Sequence, residues 1–155
     1  SGWHAHLWHT IGGLETVSMD SYSVRPVAWS EVKVVSDART VADWGLDSSG
    51  PNSDVGKWAL HLSWPPHSPD TVGLDLLQRW PGSFLVFIGE RGLNGEAGDE
   101  GVTGGKSLLD AIDQGWEPLR TWALPRWPGY LDDMTLYRRR LRPRSDDMLP
   151  QPYRS

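Results

Sequence analysis

Four consecutive residues, Trp64-Pro65-Pro66-His67, hold the densest set of chemically useful groups in this 155-residue chain. The indole of Trp64 offers a flat apolar face and an N–H that only donates. The imidazole of His67 can stack on a flat molecule or take a proton near neutral pH. The Pro65 carbonyl can accept a hydrogen bond, and neither proline can donate one, so any strand leading into them must stop. Two acids, Asp20 and Asp37, follow short alternating apolar stretches, and an ionised carboxylate there can only accept hydrogen bonds. Other constellations are thinner. The five histidines (His4, His6, His9, His61 and His67) never fall in a His-Glu-x-x-His pattern, and His4 and His6 at i and i+2 on a helix face apart. Gly101-Val-Thr-Gly-Gly-Lys-Ser107 suggests a phosphate loop, but the pattern needs glycine where Glu100 stands. There is no Gly-x-Ser-x-Gly elbow, and no carboxylate pair stands out as a glycosidase would require.

The elements that must position these groups follow from apolar spacing. Trp58 to Leu62 is apolar except for His61 and reads as a strand buried on both faces, in the middle of a parallel sheet. After the stiff proline loop, Ser68 or Asp70 can cap a helix with Pro69 in its first turn. That helix runs amphipathically from Thr71 to Trp80 and stops at Pro81-Gly82. Ser83 to Ile88 is the most apolar run and reads as a central strand closed by Gly89-Glu90. Upstream, Trp3, Leu7 and Trp8 sit at helical spacing, with Gly12 suited to a left-handed cap. Leu14 to Asp20 and Glu31 to Ser36 alternate as strands. The intervening Ser21 to Ser30 reads as loop, as does Asp43 to Lys57. Asp37 is either a ligand acid or the cap of a short helix through Ala42. Asp20 is likewise either a ligand acid or a solvated turn acid before Ser21. Arg91 to Lys106 carries six glycines in sixteen residues and reads as a long lid-like loop. Ser107 caps a helix to Gln114. Trp116 to Leu124 and Met134 to Arg138 form a closing hairpin across Arg126-Trp127-Pro128-Gly129-Tyr130, the second strand running antiparallel to its neighbours.

Trp64-Pro65-Pro66-His67 after a buried strand resembles the fourth motif of Rossmann-like, class I S-adenosylmethionine-dependent methyltransferases. Leu60 to Ser68, Phe84 to Glu90, Val102-Thr103-Gly104 and Trp127 to Tyr130, in that order, are more closely similar to a methyltransferase-like family found in bacteria, phages and some eukaryotes. The resemblance covers roughly Gly2 to Arg140. It implies an α/β three-layer sandwich whose sheet is mostly parallel with an antiparallel last strand. It implies S-adenosyl-L-methionine as cofactor, with Gly2, Asp20, Asp37, Ala38 and Ser63 on the cofactor side. Asp20 would hold the ribose hydroxyls and Asp37 the adenine amine. Trp64, Pro65, Pro66 and His67 would face an unidentified methyl acceptor. Relative to the family, the first strand and the Gly-x-Gly loop are lacking, Ser1-Gly2 being what remains of that loop. The first residue of the fourth motif is Trp64 rather than an amine-accepting Asp, Asn or Ser, which argues against amine acceptors and for a flat, partly apolar one. The alternative is a methyltransferase-like binding module without turnover, or an incomplete fragment.

Composition bounds these readings. The chain is long enough for one domain, expected over residues 1–140, followed by an Arg/Pro-rich tail over 141–155. Up to Tyr137 there are 9 basic and 18 acidic residues; from Arg138 onward there are 6 basic and 2 acidic. An acidic body argues against a broad phosphate-binding surface, leaving nucleic acid as a weakly supported partner. With no cysteine there is no disulfide framework and no thiolate metal site. No run spans a bilayer and no signal peptide is visible, so a cytoplasmic location and no membrane partner are expected.

Overall fold

The computed structural model describes residues 2–20, 31–34, 55–67, 71–91, 103–125, 128 and 130–141. Helix α1 (Trp3–Thr10) is followed by β1 (Ser18–Asp20) and β2 (Val32–Val34). After a single 3-10 turn (Val55–Lys57) come β3 (Ala59–Ser63), α2 (Thr71–Arg79) and β4 (Phe84–Gly89). The chain then forms α3 (Lys106–Gly115), β5 (Trp116–Ala123) and β6 (Asp133–Arg139).

The pairing of these strands corrects the expected architecture. Among the described residues, one sheet has the order β3-β4-β6-β5, with β3 and β4 parallel and β6 antiparallel to both β4 and β5. Antiparallel pairing therefore dominates it, and β1 and β2 form a separate parallel pair. This is a mixed sheet with three helices, not the mostly parallel Rossmann-like sandwich. The local pattern misleads because alternation and apolar runs define a strand but not its neighbour or its direction. The hairpin β5–β6 brings Tyr137 and Thr135 opposite Leu85 and Phe87, and burial of that face selects the antiparallel arrangement.

The core lies on one face of the sheet. Leu60 and Leu62 of β3, Leu85 and Phe87 of β4 and Tyr137 of β6 pack against Leu77 of α2 and Leu108, Leu109 and Ile112 of α3. Each such side chain, fully buried, contributes about 1.5–3 kcal/mol. β3 is consequently not buried on both faces. Leu60 and Leu62 point into the core, while His61 faces the other way, half-buried. α1 covers it there: the rings of His4 and Trp8 meet His61 edge-on, with centroids 5.4 and 6.0 Å away. α1 ends at a left-handed residue as expected, but at Gly13 (φ 63) rather than Gly12, with the Leu14 N–H bonded to the Trp8 carbonyl. At the far end of the sheet, Arg139 donates to the carbonyls of Gly82 and Trp80 and lies over the Trp116 ring. That clamp fixes the start of β4 and the end of β6 together.

Several expectations fall elsewhere. α3 begins at Lys106, and its N-cap is Gly105, not Ser107. The expected caps Ser68 and Asp70, the short helix through Ala42, most of the Asp43 to Lys57 connection, residues 92–102 of the glycine-rich loop and the tail beyond Leu141 lie outside the described residues. Among the described residues no helix is long and apolar enough to cross a membrane.

Candidate functional site

The carboxyl ends of the parallel strands β3 and β4 lie side by side, and the Trp64–His67 segment leaves from the first of them. Ser63 is paired with Ile88, and the Trp64 N–H still donates to the Ile88 carbonyl at 2.8 Å. The chain then turns sharply, because Trp64 has φ 49, a left-handed conformation that costs a non-glycine residue about 1–2 kcal/mol. Backbone held this way must be over-determined by its surroundings. The surroundings here are Thr103 and Gly104. Pro66 forms an isolated antiparallel bridge to Thr103, the Gly104 N–H donates to the Pro65 carbonyl at 2.8 Å, and His67 Nδ1 lies 3.3 Å from the Gly104 carbonyl oxygen.

Beneath the loop the packing is tight. A Cβ on Gly89 would fall 2.3 Å from Thr103 Cγ2, and one on Gly73 of α2 would fall 2.5 Å from Leu108 Cδ2 and 3.3 Å from Pro65 Cβ. Glycine at these two positions lets β4 and α2 close on Thr103 and Pro65. Thr103 is fully buried, and its hydroxyl has no hydrogen-bond partner among the described residues.

Above the loop lies an aromatic pair. The rings of Trp64 and Tyr130 are 5.7 Å apart and inclined at 57°, and the two residues are 42% and 40% exposed. Tyr130 precedes Leu131, whose N–H donates to Glu90 Oε1 at 3.2 Å, so the turn into β6 is held to the end of β4. Trp64, Tyr130, His67 and Glu90 thus share one end of the sheet.

Of the residues singled out from sequence, Ser63, Trp64, Pro65, Pro66 and His67 are brought together as a continuous segment. Trp64, Pro66 and His67 are exposed, whereas Pro65 is buried and its carbonyl is already bonded to Gly104. That bond uses one of the two lone pairs of the carbonyl oxygen. Asp20 closes β1, half-buried, in the other sheet, and Gly2 (φ 66) is the N-cap of α1. Asp37 and Ala38 lie outside the described residues. Sequence reasoning placed Glu90 at the end of the Ser83 to Ile88 strand and Tyr130 in the turn before the last strand, and gave neither a chemical role. Their signal was positional: an aromatic closing a Trp-Pro-Gly-Tyr turn, and an acid ending the most apolar strand.

His61 is the strongly perturbed group of the described residues. Burial, and then the neighbouring His4, push its pKa down to about 4, and its Nε2 is buried without a hydrogen-bond partner among the described residues. It lies within β3 against α1, not at the loop. Among the described residues no three His, Cys, Asp or Glu side chains are grouped to hold a metal ion.

No family model matches this chain, nor does any curated protein or any solved structure.

Proposed function

We propose that this chain carries out methyl transfer from S-adenosyl-L-methionine to an acceptor held at the Trp64–His67 loop. The observation that supports the reading is the loop itself: Trp64 and two prolines follow the end of a strand that lies beside its parallel neighbour, and Trp64 and His67 are both exposed. The proposal rests on this site and its motif order, not on the sheet, which differs from the expected one.

The described residues on the cofactor side fit it in kind. Gly2, left-handed at the start of α1, carries no side chain to hinder close approach, and a carboxylate such as Asp20 at the end of β1 is of the kind that accepts from ribose hydroxyls. Ser63, Asp37 and Ala38 complete the proposed set. When bound, the cofactor would supply an electrophilic methyl group. The chain's own residues would hold and orient the acceptor, since alignment within contact distance accounts for much of such a rate. Trp64 would cover its flat face, and His67 would hold or remove a proton. The rival reading, a binding module without turnover, is favoured by one observation: the Pro65 carbonyl already accepts from the Gly104 N–H, which leaves it one lone pair fewer for an acceptor.

Titration with S-adenosylhomocysteine and a screen for transfer of a radiolabelled methyl group separate these readings. Asp20→Ala should weaken S-adenosylhomocysteine binding by about 1.5–3 kcal/mol, the loss of a charge-assisted hydrogen-bond acceptor. Trp64→Ala and His67→Ala should abolish transfer while leaving cofactor affinity and Tm nearly intact. Cofactor binding without transfer to any acceptor favours the module, and no cofactor binding overturns both.

A further inference from the structure

His67 is the exposed member of a closed set of contacts between the proline loop and the segment before α3. The Gly104 N–H donates to the Pro65 carbonyl at 2.8 Å, and Pro66 bridges to Thr103. His67 Nδ1 lies 3.3 Å from the Gly104 carbonyl oxygen, so Gly104 is held at both its N–H and its carbonyl. Thr103, Gly104 and Gly105 are buried, and Gly104 is left-handed at φ 70. Proline fixes φ at two positions on the opposite side of these contacts. The imidazole is therefore mounted on backbone that does not turn freely. A carbonyl oxygen only accepts, so the contact to Gly104 requires the proton on His67 Nδ1. Nε2 then keeps its lone pair, and it makes no hydrogen bond among the described residues.

We infer that His67 takes the proton of a hydroxyl acceptor at Nε2, with the Gly104 carbonyl as the positioning group that sets its tautomer. The inference rests on the methyl-transfer reading and names the acceptor's class. One lone pair on Nε2 matches the one proton that a hydroxyl has to give. An amine brings further N–H groups, for which Trp64 offers only a donor and the Pro65 carbonyl is already engaged once. A thioether or a tertiary amine loses no proton and has no use for a base. In the transfer, the hydroxyl oxygen bonds to the methyl carbon, and its O–H electron pair stays on oxygen as Nε2 receives the proton. The sulfur–methyl bond breaks with its electron pair on sulfur. The products are a methyl ether, a thioether and the His67 imidazolium, so the positive charge is conserved.

Two measurements test it. In long-range proton–nitrogen correlation spectra of the native chain at pH 8, the His67 signals are those lost in His67→Asn. They should show a protonated Nδ1 and an unprotonated Nε2, the reverse of a free imidazole's preference. A proton on Nε2, or an even mixture of tautomers, would overturn the positioning role of Gly104. The second measurement compares methyl transfer from S-adenosyl-L-methionine to 2-naphthol and to 2-naphthalenethiol at pH 8, where the thiol is already ionised and needs no base. The native chain should methylate both. His67→Asn keeps a donor for the Gly104 carbonyl but has no basic atom. It should lower transfer to 2-naphthol by about a hundredfold or more, as loss of a general base does, and leave transfer to the thiol within about threefold. Equal losses for the two probes, or an unchanged rate with 2-naphthol, would rule out the base. Bound S-adenosylhomocysteine with no transfer to 2-naphthol by the native chain would rule out the hydroxyl class. No S-adenosylhomocysteine binding removes the methyl-transfer reading and the acceptor class with it, while the tautomer still stands or falls on the spectrum.

Discussion

Trp64 carries two opposed contributions in one residue. Its ring is placed for contact while its backbone sits at φ 49, where a Cβ crowds the following carbonyl. Removing the side chain therefore has two consequences that a pair of variants separates. Trp64→Gly and Trp64→Ala both lose the contact with Tyr130, but only glycine relieves the backbone. Trp64→Gly should be the more stable of the two by about 1 kcal/mol in denaturant unfolding, a difference set by the left-handed conformation. Equal midpoints would show that the turn relaxes when the ring is gone. Residue types alone indicated that Trp64 offers a face and no acceptor. The positive φ was not legible, because it results from the bonds that Pro65, Pro66 and His67 make to a segment almost forty residues away.

At the scale of elements, two contacts decide how β3 and β4 are held. The first is the approach of Gly89 to Thr103. Gly89→Ala places a carbon within 2.3 Å of Thr103 Cγ2, and overpacking of this kind costs about 1–3 kcal/mol. Thr103→Ser removes that methyl, so the double variant should recover much of the lost stability; urea unfolding of the three variants measures it. The second is α1 on His61. The imidazole is neutral in the folded protein down to about pH 4 but takes a proton near 6.5 when unfolded. Between those values the unfolded state binds more protons, so stability falls as pH is lowered through that window and the loss is complete below about 4. The span of the shift corresponds to about 3 kcal/mol. The lowered pKa of His4, from burial, acts in the same direction. Unfolding midpoints at pH 7 and pH 4.5 should therefore differ more for the native chain than for His61→Leu. An identical acid loss in both would show that α1 does not depend on a neutral His61.

For the molecule as a whole, the four-stranded sheet and its two core helices form the stable unit, and the β1–β2 pair stands beside it as a smaller one. Arg91 binds that unit across layers, donating from β4's end to the buried Tyr137 hydroxyl at 2.7 Å and to Asp113 of α3. Burial opposes a charge there, but the bonds to Asp113 and Tyr137 outweigh it and raise the Arg91 pKa. For Tyr137, burial holds the hydroxyl protonated against the pull of the guanidinium. Protection from hydrogen exchange should follow this division. Amides of β4 and β6, paired with each other over Phe84 to Gly89, should exchange slowest, and those of β1 and β2 should exchange by local opening. Uniform protection across both sheets would mean they unfold as one.

The sequence by itself determined the elements whose signals are local. The helix over Thr71 to Trp80, the strand over Ser83 to Ile88, the stop at Pro65-Pro66 and the hairpin ending at Arg138 each follow from side-chain periodicity or from proline's fixed φ and missing donor, which act within a few residues. Tertiary structure decided which strands are neighbours. β6 lies between β4 and β5 because Tyr137 and Thr135 complete the buried face opposite Leu85 and Phe87, a match between segments some fifty residues apart that no local pattern contains. The same distinction holds at the site. Trp64, Pro65, Pro66 and His67 are legible as a segment, whereas the bond from the Gly104 N–H to the Pro65 carbonyl exists only once the start of α3 packs at the end of β3, and the meeting of Trp64 with Tyr130 only once β3, β4 and β6 share one end of a sheet.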